Sequence, residues 1–178
     1  LSVEFMHPAP HLAGLVSGYH IYSAGPLGGP AWQELFFPGW ANLRLTLRNG
    51  DWHCAPVGEP LRPVPLASLF GPASRGLNSL SHGGLMVGVG ITPLGWHRFF
   101  AQPAHVLADR ILPLEEHIGG DVAALHAAAC ADPTPNAIKH LFDDWLTHRL
   151  RPPSALSPAI ARLFDWLATT HEVDVVSA

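Results

Sequence analysis

Alternation of apolar and polar residues is clearest in the stretch ANLRLTLRNGDW, where Leu43, Leu45 and Leu47 interleave with Arg44, Thr46 and Arg48. This period of two predicts a strand with one covered face. Asn49-Gly50 follows it, the dipeptide best suited to a two-residue hairpin turn. GLMVGVGI, ending at Ile91, is apolar on both faces and predicts a central strand. The same reasoning places strands over 14–22, 34–37, 41–47, 66–70 and 85–91. The frequent Gly and Pro between them predict a barrel or sandwich.

From about Ala104 the period changes. In TPNAIKHLFDDWLTHRL, Thr134 and Pro135 open a helix, and Ile138, Leu141, Phe142, Trp145 and Leu146 recur on one face. SPAIARLFDWLATTH repeats the arrangement with Ser157 and Pro158, then Ile160, Leu163, Phe164 and Leu167. Between the two, RPPSAL cannot continue a helix, because paired prolines break it. The stripe on the 135–150 helix is wider than one domain face requires, which predicts a homodimer built on Leu141 and Trp145. The last residues, HEVDVVSA, read as a connector with Asp174 as an N-cap, then the first turn of a further helix. With Leu1 at the start, this ending predicts a piece cut from a longer chain.

The expectation is an α+β fold: a β-rich, cupin-like barrel or sandwich followed by a helical C-terminal part. Residues 1–150 form a sensing and dimerisation unit with trailing helices. Residues 151–178 form a linker and the first helix of a truncated DNA-binding region.

Composition narrows the function classes. Hydrophobic residues make up 48% of the 178, enough for a sizeable core, while charged residues are only 13%, about half the usual share of roughly 25%. Residues 1–100 carry a net charge of +1, and residues 101–178, with five basic and ten acidic side chains, a net of −5. A phosphate backbone is held by clustered Lys and Arg, so these residues are not built to grip DNA or RNA. Cys54 and Cys130 form no bridge framework, and no apolar run reaches a membrane span. The expected setting is a reducing cytoplasm, with no membrane partner.

Candidate chemistry is sparse. Neither the twelve histidines nor the acidic pairs Glu115-Glu116 and Asp143-Asp144 complete a metal or catalytic spacing; the acidic pairs read as solvated helix faces. Cys54 and His53, as strand neighbours, point to opposite faces. No nucleophile elbow or phosphate loop is present. The expectation is therefore no enzyme, no metal and no cofactor. PLGWH, ending at His97, matches half of a metal-cupin signature, which keeps open a metalloenzyme using His97 with His53 or His82. Aromatic residues are denser: Trp32, Phe36, Phe37, Trp40, Trp52 and Trp96 crowd the first half. Ligand pockets are largely apolar and aromatic with a few fixed polar groups, so Trp40, Trp96 and His97 are candidate ligand contacts. Arg44 and Arg75 are candidate anion contacts, because a guanidinium inside a barrel suits a carboxylate.

HPAPHLAGLVSGYHIYS, FFPGWANLRLTL, SLFGPASRGL, GLMVGVGITPLGWHRFF and RILPLEEHIGG occur in this order along the chain. Their order resembles the N-terminal sensor domain of AraC-type transcriptional regulators, although Pro38-Gly39-Trp40 lacks the Asp that recurs in that family. The resemblance implies a small-molecule effector, a homodimer, and DNA contact only through helix-turn-helix units beyond Ala178. It also implies that SPAIARLFDWLATTH opens the DNA-binding region. A domain that only binds other proteins, without a ligand, is the remaining alternative.

Overall fold

A computed structural model describes residues 2–48, 51–118 and 121–169. Along the chain run β1 (Ser2–Met6), β2 (Val16–Ser23), β3 (Trp32–Phe36), β4 (Asn42–Arg48), β5 (His53–Pro56) and β6 (Arg62–Pro63). Then come β7 (Ala67–Phe70), β8 (Leu77–Ser81), β9 (Leu85–Ile91), α1 (Pro93–Phe99) and β10 (Ile111–Pro113). The chain continues with α2 (Glu115–Ile118), α3 (Val122–Ala131), α4 (Pro135–Thr147) and α5 (Ser157–Thr169). Among the described residues the strands form two antiparallel sheets, ordered β1-β2-β9-β4-β7-β10 and β3-β8-β5-β6. The fold is α+β. The five strands expected from the sequence are present, and β9 is an interior strand flanked by β2 and β4. Asn49-Gly50 and residues 170–178, where the hairpin turn and the last helical turn were expected, lie outside the described residues.

The two faces of the larger sheet meet different partners. Tyr19 and Ile21 of β2, Leu43 and Leu45 of β4, Leu69 of β7, and Val87 and Val89 of β9 share one face by register. They join Leu125 of α3 and Ile138, Phe142 and Leu146 of α4 in one buried cluster. Each such side chain contributes about 1.5–3 kcal/mol on burial. The opposite face carries His20, Tyr22, Arg44, Thr46 and Ser68, and it meets the smaller sheet through Tyr22 and Phe36, whose rings stand 6.2 Å apart. Here the half-buried reading of β4 is corrected. Arg44 and Thr46 are as covered as the leucines between them, because a second sheet lies over them.

The helix expected at 135–150 is α4, ending at Thr147. Its stripe turns inward. Trp145 is buried, its indole nitrogen donating to Asp121 Oδ1 at 3.3 Å and its ring lying 3.8 Å from the Arg149 guanidinium. Leu141 is half-buried against the same core. Of the two residues assigned to a second copy, Trp145 is thus covered within the chain beside α3, while Leu141 keeps part of its surface.

PLGWH forms α1, capped by Thr92, whose Oγ1 accepts from the Gly95 amide at 3.0 Å. A Cβ at Gly95 would lie 1.9 Å from the Leu15 carbonyl oxygen, so close backbone contact accounts for this glycine. The 151–156 linker is tied to α1. Arg98 Nε donates to the Arg151 carbonyl at 2.6 Å, and Arg151 Nη1 donates to the Phe100 carbonyl at 2.6 Å. No helix among the described residues is long and apolar enough to cross a membrane.

Candidate functional site

The space between the sheets holds a buried cation. Arg44 is only 7% exposed. Its guanidinium carbon lies 4.0 Å from the Phe70 ring centre and 4.7 Å from that of Phe36. These rings attract the charge electrostatically. Its Nε donates to Asn42 Oδ1 at a long 3.4 Å, and Nη1 has no hydrogen-bond partner among the described residues. A buried donor without a partner is costly. An unpaired guanidinium is more so.

His20, 8% exposed, occupies the same row of the sheet. It pairs with Gly88 of β9, which in turn pairs with Arg44 of β4. At a strand spacing of about 4.8 Å the His20 and Arg44 backbones stand roughly 10 Å apart, with Gly88 between them. A Cβ on Gly88 would fall 1.9 Å from His20 Nε2, so the imidazole lies over the glycine. That nitrogen also lacks a partner among the described residues. Among the described residues, two buried nitrogens of one row thus have no hydrogen-bond partner, with a residue without a side chain between them.

Burial sets the local electrostatics. Desolvation, helped by the Arg44 charge, pulls the His20 pKa down to about 4, so the ring is neutral at ordinary pH. Burial pushes the Cys54 thiol up to about 11, opposed by Arg44. It raises Tyr22 as well, with Arg44 opposing and Glu34 assisting. The fixed charge of Arg44 is itself disfavoured by desolvation and supported by Cys54, Tyr22 and Glu34. On the walls, Trp52 Nε1 donates to Ser79 Oγ at 2.8 Å, and the His20 and Tyr22 rings meet edge-on at 4.9 Å. A cavity of about 300 Å³ opens where edge strands β6 and β10 meet, lined by Cys54, Arg62, Arg110 and Ile111 among others.

Of the residues expected to contact ligand, only Arg44 lies between the sheets. Arg75 is on the surface, its Nη2 2.7 Å from Glu59 Oε1. Trp96 is part of the packing of α1, stacked on Phe100 at 4.3 Å. His97 bonds to Ser154 of the linker. Trp40 is 53% exposed and meets Phe164 of α5 edge-on at 5.9 Å. With Gly14, Thr92, Leu94, Ala161, Phe164 and Asp165 it lines an apolar groove of about 460 Å³. His53, whose Nδ1 is 3.1 Å from the Asp51 carbonyl, lies on a strand face opposite to Cys54 and does not join His97. No group of three or more His, Cys, Asp or Glu among the described residues could hold a metal ion.

Comparison with known protein families, curated proteins and solved structures finds no match.

His20, Tyr22 and Gly88 escaped the sequence reading, yet a signal was available. In GYHIYS, His20 and Tyr22 alternate with Tyr19 and Ile21, and a glycine inside a central strand marks close approach by another group. Asp143 was read as a solvated helix residue, and the structure corrects this. It is buried, and its Oδ1 accepts from Tyr19 Oη at 2.7 Å and from the Ala9 amide at 2.8 Å, while Lys139 pairs with Oδ2. Burial opposes its ionisation, but these donors outweigh burial and hold its pKa below the ordinary value.

Proposed function

We propose that this chain is the effector-sensing part of an AraC-type transcriptional regulator of the cytoplasm, taking a small molecule with an anionic group between its two sheets. The observation that carries this reading is Arg44, a buried guanidinium against the rings of Phe36 and Phe70, whose Nη1 has no hydrogen-bond partner among the described residues. A ligand anion would supply the missing partner through a charge-assisted hydrogen bond. The resemblance in segment order supports the regulator class. DNA contact is assigned, on that resemblance alone, to helix-turn-helix units outside this chain. Regulation follows if the ligand binds two arrangements of the helical part with different affinity.

Thermal denaturation in the presence of a panel of small organic acids, neutral sugars and amines tests the reading. Dose-dependent stabilisation by an acid, absent in Arg44→Met, is expected. Stabilisation by none of the panel, or equal stabilisation of both proteins, would remove it.

A further inference from the structure

We propose that the groove between Trp40 and α5 is a site for an organic cation, an alkylated ammonium ion with a small apolar body, held by the rings of Trp40 and Phe164 and the carboxylate of Asp165. The site is independent of the acid placed between the sheets: it uses another cavity, other residues and the opposite charge.

Room is the first requirement. The groove's volume of about 460 Å³ lies within the span of roughly 300–1,000 Å³ common to small-molecule sites. A smaller hollow of about 80 Å³, reaching Ile91, Pro93 and Trp96, shares Trp40 and Thr92 with it.

Trp40 is presented to this space by a fixed backbone. The Gly39 carbonyl accepts from the Ala73 amide at 2.9 Å, and the Ala41 carbonyl accepts from the Ile91 amide at 2.8 Å. Both chain neighbours of Trp40 are thus tied down while its indole stays half in water. Covering that apolar surface is favourable, and an occupant of the groove does so. Phe164 of α5 meets the indole at 89°, with ring centroids 5.9 Å apart. Two rings at right angles form the walls of a corner. Ring faces are negative, and a cation within about 6 Å of a ring centre is attracted to them.

The lining decides the sign of the charge. Among its seven residues are no Lys, Arg or His, and the one charged group is Asp165. The Thr92 hydroxyl is already used: it donates to the Gly14 carbonyl at 2.7 Å and accepts from the Gly95 amide at 3.0 Å. Of the lining side chains, this leaves the Trp40 indole N–H as donor for an occupant. An anion would meet a carboxylate and a single donor. A sugar would cover hydroxyls without partners, which is costly. A primary ammonium carries three donors, more than this apolar lining satisfies. An alkylated nitrogen keeps the charge and sheds those donors.

Position gives the site its consequence. Ala161, Phe164 and Asp165 come from α5, whereas Gly14, Trp40 and Leu94 belong to the body it rests on. A bound cation touches both and fastens α5 in place.

The test is a calorimetric titration of the chain with benzyltrimethylammonium and choline. Neohexyl alcohol, the uncharged carbon isostere of choline, and benzoate serve as comparisons, and NMR of the Trp40 indole N–H reports location. Both cations are expected to bind and to shift that signal saturably, and the alcohol and benzoate to leave it in place. Trp40→Leu should weaken benzyltrimethylammonium about tenfold, and Asp165→Asn up to about fivefold with a smaller salt dependence. Both side chains are exposed, and circular dichroism establishes that the variants are folded. Equal binding of choline and its isostere would overturn the proposal, leaving an apolar groove without charge selection. So would cation binding that neither variant weakens, or no binding of either cation at millimolar concentration. None of these results touches the response of Arg44 to acids, which the acid panel decides separately.

Discussion

Arg44 sets stability against binding at the scale of single residues. It is a buried charge whose described contacts are two aromatic rings and one long hydrogen bond. Replacing buried ionic groups by apolar ones of similar size is often neutral, or stabilising by about 1–4 kcal/mol. Arg44→Met is therefore expected to unfold at equal or higher denaturant concentration than wild type while losing its response to acids. His20 gives a pH signature. Its folded pKa, about 4, lies below its ordinary 6.5, so the unfolded chain binds the extra proton between these values and stability falls as pH drops through that window. The loss amounts to about 3 kcal/mol and levels off below pH 4. Denaturant unfolding of His20→Gln across the window should lack this slope; an unchanged slope would assign it to other groups. Clean alternation was enough to set Arg44 on the face opposite the leucines, but the second sheet that covers this face leaves no trace in the strand's own sequence. Arg75, Trp96, Trp40 and His97 were not legible, since composition shows that aromatic and basic residues are present but not which face of the fold they occupy.

Elements carry the next level, and β2 is the one that joins the two sides. His20 and Tyr22 face the inter-sheet space, while Tyr19 between them reaches Asp143 of α4 and stacks on Phe142 at 5.6 Å. Tyr19→Phe removes a donor from a buried carboxylate, with an expected cost of about 1–3 kcal/mol by chemical denaturation. No loss would mean that Lys139 and the Ala9 amide suffice. The stripe on α4 was legible as an apolar face, but the sequence could not say how wide a face its own domain would cover. The answer lies in α3, an alanine-rich helix that packs beside it. Trp145→Glu is accordingly expected to destabilise the fold by more than about 3 kcal/mol, as large core truncations do, with loss of near-ultraviolet dichroism. A folded variant with a smaller hydrodynamic radius than wild type would instead restore the dimer reading.

The whole molecule is a two-sheet β unit with a helical layer on one outer face and a further helix reached through a pinned linker. The change of texture near Ala104 was visible, because period two gives way to period 3.6. Short strands such as β6 and β10 were not, since two or three residues carry no period. Pairing between distant segments brings His20, Gly88 and Arg44 into one row, and that pairing is a property of the sheet, with no local trace in sequence. The central claim is that a small acid binds between the sheets beside Arg44 and is felt by α4 through β2. Amide hydrogen exchange with and without saturating benzoate, one of the small organic acids, tests it most directly. Slower exchange in β2, β4 and β9, extending into α4, is the predicted result. Slower exchange confined to the groove around Trp40 and Phe164, with β2 and β4 unchanged, would contradict it.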